Sequence, residues 1–247
     1  RHDNAGPWAG TINGVAVTNT LTDLGSNFNL ATSNLDLDDA LADGLRMHLR
    51  TYLSSRHHPE PYVKGGYMQV DRLDFISEGF ASGLMDHLRI KVGHMEVNYG
   101  DNHFRRTDNG AAIHNPFVGN YIMDSFTTEV GGEIYYYTGN MFAMAGVTNT
   151  KLNQSVAKGP VTNKGSFVGK VGYDSQLNED LRIRLTGSIY TTPQAGSIYL
   201  YDGDRAGARY YEVMSYSNSE QGTVDSFRSG RFDPGFNNEI TAIMINP

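Results

Sequence analysis

Several segments of the chain alternate apolar residues with Arg, Lys and His. The pattern runs through Leu45–Arg50, Leu88–Val92 and Leu181–Leu185. Because successive side chains of a β-strand point to opposite faces, each segment presents one apolar and one cationic face. A soluble β-sandwich needs no such recurrence of cations, since other polar residues serve equally well on a face that meets bulk water. The pattern therefore favours an all-β, antiparallel transmembrane β-barrel, in which lipid lies outside and water inside.

Strand-like segments recur along most of the chain and have the length that a bilayer crossing requires. We predict about nine strands, at roughly 28–38, 45–55, 62–73, 88–98, 127–138, 141–152, 166–176, 181–192 and 238–247. Most exceed the ~5–6 residues usual in soluble sheets and suit a tilted strand that crosses the hydrocarbon layer. Residues 1–27 have weak periodicity and are predicted to be a loop or N-terminal segment, which leaves 28–247 as one incomplete β-barrel domain.

The connectors between these strands are alternately short and long. In chain order they are 39–44, 56–61, 75–87, 99–126, 138–140, 153–165, 177–180 and 193–237. Tight turns at one end and long loops at the other are typical of outer-membrane barrels, whose long loops are extracellular. The connectors 56–61 and 75–87 depart from this alternation, because the first is short for a loop and the second is long for a periplasmic turn.

Composition excludes several classes of site and of membrane anchor. The chain of 247 residues has no Cys, so disulfides and thiolate metal sites are excluded, and its net charge of -7 argues against nucleic-acid binding. No apolar run approaches the ~18–20 residues of a transmembrane helix. The mean hydropathy of -0.43 is compatible with a barrel, because half of every strand faces water. The chain begins at Arg1 without a signal peptide and ends inside an apparent strand, so we expect an incomplete polypeptide.

Basic residues at alternating strand positions are the main candidates for a functional site. The predicted lumen cations are Arg46, His48, Arg50, Arg89, Lys91, Lys170, Arg182 and Arg184. Facing a narrow pore, they would raise the local concentration of anions and repel cations. The alternative is that they pair with luminal carboxylates, which would stabilise the wall without selecting ions. The candidate carboxylates are Asp36, Asp71, Glu96 and Glu133.

The long loop 101–120 is the second candidate region. Its polar residues Arg105, Arg106, Asp108 and Asn109 are predicted to lie at the mouth of the pore. Loops beyond ~12–15 residues usually have a role of their own, so this one is expected either to fold into the pore and narrow it or to pack on neighbouring loops.

Catalytic and metal-binding patterns are missing from the sequence. We find no Gly-rich phosphate loop, no Gly-x-Ser-x-Gly and no His-Glu-x-x-His, so neither an enzyme nor a cofactor is predicted. His94 and Glu96 have the spacing to begin a metal site on one face of a strand, but no third ligand stands at a telling distance in sequence, and no metal is predicted.

Several segments resemble a known family. Leu88–Gly100 is similar to the strand-to-loop motif of phosphate-selective (O/P-type) porins of Gram-negative outer membranes, in which a basic strand continues through Val-Gly to an aromatic-Gly turn. The segments 27–32, 52–58, 63–67 and 105–109 resemble an uncharacterised branch of that superfamily. The resemblance implies a barrel of about 16 strands, often trimeric, with a cationic pore. This chain departs from the family in its sparser arginines and in His94 and Glu96 near the turn, so it implies a general or mildly anion-preferring pore.

These observations lead to one main expectation and two alternatives. We expect a porin-like channel in the outer membrane of a Gram-negative bacterium, which passes small anionic or neutral hydrophilic solutes by passive diffusion. Its partners would be outer-membrane lipid, further copies in a homotrimer, and other envelope proteins. The first alternative is a structural or docking barrel with a plugged lumen inside a larger assembly. The second is a soluble β-sandwich that binds carbohydrate through exposed Tyr and Asn.

Overall fold

The fold is almost entirely β-sheet. The computed structural model describes residues 9–12, 14–21, 33–54, 58–101, 128–150, 163–196, 198, 200–201, 214–216 and 234–247. Its strands are β1 (Ala9–Ile12), β2 (Val15–Leu21), β3 (Ser33–Ala42), β4 (Leu45–Ser54), β5 (His58–Val70), β6 (Leu88–Glu96), β7 (Thr128–Thr138), β8 (Met141–Thr148), β9 (Ser166–Gln176), β10 (Arg182–Ala195), β11 (Met214–Tyr216) and β12 (Asn238–Asn246). The helix assigned in these ranges is the single turn α1 (Ser82–Met85). No helix in the described part of the chain has the length and apolarity to cross a membrane.

Nine of the strands form one antiparallel sheet in the order β12-β10-β9-β8-β7-β6-β5-β4-β3. Strands that are neighbours in this sheet also follow one another along the chain, except that β11, between β10 and β12 in sequence, belongs to the other sheet. The predicted all-β, antiparallel architecture is therefore confirmed, and each of the nine predicted strands overlaps one strand of this sheet. Within the described ranges the sheet is open, with β3 and β12 as its edges.

Two regions differ from the sequence prediction. The first strand of the sheet is Ser33–Ala42 rather than 28–38, because its register is set by pairing with β4, in which Asp36 lies opposite Arg50. Residues 1–27, predicted to be a loop or N-terminal segment, contain the hairpin β1–β2, which forms a small separate sheet with β11. The dipeptide Asn13-Gly14 is a strong hairpin signal in the sequence, but the prediction for this region rested on its weak periodicity.

The two faces of the large sheet differ in chemistry. We call the face that carries Lys170 the inner face and the opposite one the outer face. The outer face presents large apolar side chains to the surroundings along its whole width, and Ile243 and Ile245 are 71% and 72% exposed. Its other exposed members include Leu35, Leu37, Met47, Val63, Met68, Val92, Ile134, Val147, Phe167, Val171, Ile183 and Leu185. The inner face instead buries charged and hydroxyl groups, which reverses the arrangement of a soluble protein.

The buried core lies on the inner face. It is formed where two chain segments fold over strands β7 to β12. One is the interior segment, residues 97–101, which follows β6, and the other comprises the described residues between 195 and 201. Tyr99 of the interior segment meets Tyr201 edge-to-face, and their hydroxyls are 2.6 Å apart. The core therefore exists because loop residues cover the sheet from within, and it fixes where the interior segment lies.

Candidate functional site

The strand register places every predicted strand cation on the inner face. In the β4–β5–β6 part of the sheet, Arg46 is opposite Gln69, which in turn is opposite Lys91. Across β6, β7, β8 and β9, Lys91 shares its face with Glu133, and Arg89 shares it with Lys170 through Tyr135 and Met144. Alternation along β4 places His48 and Arg50 on the same face as Arg46. Pairing of β10 with β9 places Arg182 and Arg184 on that face too. The cationic surface predicted from single strands is thus one continuous surface of the sheet.

Carboxylates share this face and pair with the cations. Arg50 holds Asp36 through two hydrogen bonds, 2.5 Å from Nε and 3.0 Å from Nη2, and its Nη1 is 3.6 Å from Glu96. His48 Nδ1 lies 2.8 Å from a carboxylate oxygen of Asp38. Such bidentate and charge-assisted contacts orient the side chains along the wall. The alternative interpretation, in which the cations pair with carboxylates of their own face, therefore describes this part of the sheet.

A further ion pair joins Arg89, near the start of β6, to Asp71, directly after the end of β5. Arg89 Nε donates to Asp71 at 2.6 Å, and Gln69 donates to the other carboxylate oxygen at 2.7 Å. Burial by itself would raise the pKa of Asp71, but the hydrogen bonds from Arg89 and Gln69 outweigh it and the pKa is lowered. Asp71 therefore remains a carboxylate throughout the neutral range.

A cavity of about 230 Å³ opens between β4 and β7 on the inner face. It is lined by His48, Arg50, Lys64, Gly65, Tyr67, Lys91, His94, Met95, Glu96 and Thr128. His94 and Glu96 would follow Val92 onto the outer face by simple alternation, yet they line the same cavity as Lys91. The backbone changes phase at Gly93, whose φ of +149° is one that L-residues rarely adopt. One glycine thus brings a histidine and a carboxylate into a cationic cavity.

The interior segment is pinned to β9 and β10 by a dense set of polar contacts. Lys170 Nζ donates to Asp101 at 2.6 Å, to Asn98 at 2.7 Å and to the carbonyl of Gly100 at 3.0 Å. Arg184 and Thr186 donate to the second carboxylate oxygen of Asp101 at 3.1 and 2.9 Å. The segment therefore leaves β6 and crosses the inner face to strands three and four positions away in the sheet.

These contacts also set the ionisation of the interior segment. Burial would raise the pKa of Asp101, but hydrogen bonds and charge from Lys170, with further hydrogen bonds from Arg184 and Thr186, lower it below its ordinary value of 3.8. Burial and the hydrogen bond to Tyr201 raise the pKa of Tyr99. At neutral pH the anchor is thus a carboxylate held by two cations, and the adjoining phenol is neutral.

A second cavity, of about 540 Å³, lies between the interior segment and the short turn at Gly139. Rings form part of its wall. Tyr135 and Tyr137 are parallel, with centroids 6.1 Å apart and planes inclined by 2°, and Phe142 is 6.3 Å from Tyr137. Arg184 stands over the Phe142 ring at 5.8 Å. Carboxylates and cations complete the lining, so the cavity combines flat apolar rings with donors and acceptors.

A buried polar network occupies the inner face near the opposite strand ends. Tyr190 donates to Glu129 at 2.8 Å, its hydroxyl lies 2.8 Å from that of Ser166, and Thr148 donates to the other oxygen of Glu129. The network joins β7, β8, β9 and β10, so it ties neighbouring strands together. Its groups satisfy one another, which is how buried polar side chains are accommodated.

The strand cations of this face were predicted from the sequence, but the contacts of the interior segment were not. The predicted pore-mouth residues Arg105, Arg106, Asp108 and Asn109 lie outside the described residues, so their placement stays a prediction. Asp101 and Asn98 were missed as contacts, because nothing local in a sequence indicates which distant strand a loop residue will meet. The available signal was the length of the loop and the acidic residue directly after the Tyr-Gly turn.

The arrangement is a polar surface on which cations and carboxylates are paired. Among the residues that the structure describes, no cluster of His, Asp and Glu has the geometry to hold a metal ion. Comparison with protein-family models, with curated proteins and with solved structures gave no match, so the resemblance to phosphate-selective porins rests on sequence motifs alone.

Proposed function

We propose that this chain forms part of the wall of an outer-membrane β-barrel that lets small hydrophilic solutes diffuse passively. The observation that carries the proposal is the inversion of the sheet: apolar side chains are exposed on the outer face of nine strands, and charged groups are buried on the inner face. In water this distribution would leave a large apolar surface uncovered, which soluble monomers avoid. Lipid outside and water inside give each face the solvent that suits it.

Strand length and connector pattern support the same proposal. The strands β3 to β10 are 8 to 14 residues long. A transmembrane β-strand needs about 9–11 residues at its usual tilt. Tight turns join β3 to β4, β7 to β8 and β9 to β10, and long connectors follow β6, β8 and β10 at the opposite ends. The short connector between β4 and β5 and the long one between β5 and β6 depart from this pattern. We assign the tight turns to the periplasmic side and the long connectors to the extracellular side.

Charge pairing makes the proposed pore weakly selective. Arg50, Arg89 and Lys170 each contact a carboxylate on the inner face, so the fields of their charges are partly cancelled. A strong anion filter requires an excess of positive charge at the constriction. We therefore expect a general pore with at most a mild anion preference.

The interior segment favours a second candidate function. It crosses the inner face and, with the residues around Leu200, encloses a hydrophobic core there. A barrel filled in this way can serve as a structural or docking subunit of an envelope assembly rather than as a channel. Conductance separates the two functions, because a plugged barrel folds in the membrane without passing ions.

Planar-bilayer recording of the full-length protein under a salt gradient tests the proposal. Discrete openings with a small reversal potential are expected. Arg46→Glu and Arg184→Glu should move that potential towards cation selectivity, whereas the control Arg72→Glu, on the connector after β5, should not. Folded protein without openings would overturn the channel proposal in favour of the docking barrel. Stable solubility without detergent would overturn both.

A further inference from the structure

The second cavity contains an aromatic platform of two rings, whose planes are inclined by 34°, inside the polar wall. Tyr137 and Phe142 form this platform at the turn between β7 and β8, and Tyr137 is 38% exposed. The ring of Phe142 rests on Gly172 of β9, where a Cβ atom would come within 2.1 Å of the ring. Glycine at this position therefore creates the space in which the ring lies flat, and the platform is a built feature of the wall.

A guanidinium lies over each ring of the platform. The guanidinium of Arg89 lies 5.7 Å from the centre of the Tyr137 ring, and that of Arg184 lies 5.8 Å from the centre of Phe142. Both guanidiniums are also bonded to carboxylates, Arg89 to Asp71 and Arg184 to Asp174. Cation–π contact and ion pairing together keep the rings and the charged groups in fixed relative positions.

Charged groups of both signs line the cavity. Three cations and four carboxylates line it: Lys91, Lys170 and Arg184, and Glu96, Asp101, Glu133 and Asp174. A free inorganic anion would meet more carboxylates than cations, so the cavity gives it no net attraction. A ligand with uncharged hydroxyls can accept from the cations and donate to the carboxylates at once, without separating the existing pairs.

We propose that this cavity is a binding subsite for a neutral saccharide, whose ring stacks on Tyr137 and Phe142 while its hydroxyls bond to the paired charges. This inference rests on the proposed pore and names the class of solute that it would favour. An aromatic ring offers a flat apolar face to the C–H face of a sugar, and few other hydrophilic solutes have both a flat apolar face and a rim of hydroxyls. The cavity volume of about 540 Å³ lies within the range of about 300–1,000 Å³ found for small-ligand sites.

The inference is tested on the full-length protein in detergent by isothermal titration with maltotriose. Two probes serve as comparisons: a polyethylene glycol of similar size, which has no sugar ring, and inorganic phosphate. Saturable binding of maltotriose that neither comparison probe shows is expected. Saturable binding of phosphate instead would overturn the assignment, as would equal heats from maltotriose and the glycol.

Variants locate the binding on the platform. Phe142→Leu keeps an apolar side chain but loses the flat ring, and should weaken maltotriose binding about tenfold. Gly172→Ala should do the same by displacing the ring without touching a charged group. The matched controls are Phe167→Leu, an aromatic residue of the outer face, and Gly187→Ala, whose added Cβ meets nothing within 4 Å. Equal affinities in Phe142→Leu and Phe167→Leu would overturn the inference.

A second readout separates this inference from the pore itself. In a planar bilayer, maltotriose should reduce the current through open channels with a concentration dependence that matches the titration. Openings without any effect of maltotriose, together with no heat of binding, would overturn the saccharide site and leave the pore intact. Binding in detergent without channel openings would retain the site and overturn the pore.

Discussion

Removing the carboxylate of Asp101 is the perturbation whose consequence the structure specifies most fully. The pair that it forms with Lys170 is well buried, since the two side chains are 14% and 3% exposed. Removing one partner of a buried pair costs about 3–5 kcal/mol, because the other charge is left without compensation. In Asp101→Asn, Lys170 keeps its contacts with Asn98 and the Gly100 carbonyl. We therefore expect a loss at or below the lower limit of that range, about 2–3 kcal/mol.

The loss should appear first as opening of the interior segment. Hydrogen exchange followed by mass spectrometry, on protein folded in detergent, measures that opening directly. A loss of about 2–3 kcal/mol corresponds to exchange of residues 97–101 that is about 30- to 140-fold faster. In the same protein, amides in the centre of β9 should exchange nearly as before, because their ladder bonds to β8 and β10 are unchanged.

Asp174→Asn provides the control. Asp174 pairs with Arg182 and Arg184, whose side chains are much more exposed than that of Lys170. Exposed pairs contribute little to stability, so this variant should change exchange of the interior segment less than about fivefold. If Asp101→Asn and Asp174→Asn accelerated exchange to the same extent, the assignment of Asp101 as the anchor would be refuted.

Three further predictions follow from single features of the sheet. Gly172→Ala should lower the free energy of unfolding by about 1–3 kcal/mol, because the new Cβ displaces the Phe142 ring, whereas Gly187→Ala should be nearly neutral in the same urea titration. Ile243→Lys should cost about 2–4 kcal/mol in lipid vesicles if the outer face meets hydrocarbon, and an effect within about 0.5 kcal/mol would contradict membrane insertion. The lowered pKa of Asp101 stabilises the folded state above its ordinary value of 3.8, so this contribution should decrease progressively as pH falls below about 4. Exchange of the interior segment that is equally slow at pH 3 and pH 6, after correction for intrinsic rates, would contradict that contribution.

The strand pattern is the part of this protein that sequence reasoning predicts best. Alternation with a period of two is a local property, and it located the strands of the large sheet and placed residues such as Arg46 and Arg184 on one side of their strands. The alternation gave the wrong position or face where pairing with a distant strand or an unusual backbone conformation overrides the local pattern. The register of β3 depends on partners in β4 that lie beyond a turn, and the phase change at Gly93 reverses the simple alternation for His94 and Glu96.

The residue types of the candidate site were predictable from the sequence, but which cation pairs with which carboxylate was not. Cations were assigned to a lumen because they alternate with apolar residues, and carboxylates were recognised as their competitors. Which pairs form depends on strands meeting side by side, as Arg50 meets Asp36. It depends also on a loop returning across the sheet, as Asp101 reaches Lys170 over a separation of 69 residues. No local pattern encodes such a separation.

The sequence by itself determined that this chain forms long antiparallel strands with one apolar and one charged face, because side-chain direction in a strand follows from position alone. Only the tertiary structure decided what the charged face does. Pairing of the strands turned isolated cations into ion pairs, and the interior segment buried Lys170 and enclosed the cavity with its aromatic platform. The physical reason is that charge balance and cavity shape are properties of groups brought together in space, and their energies depend on burial and distance.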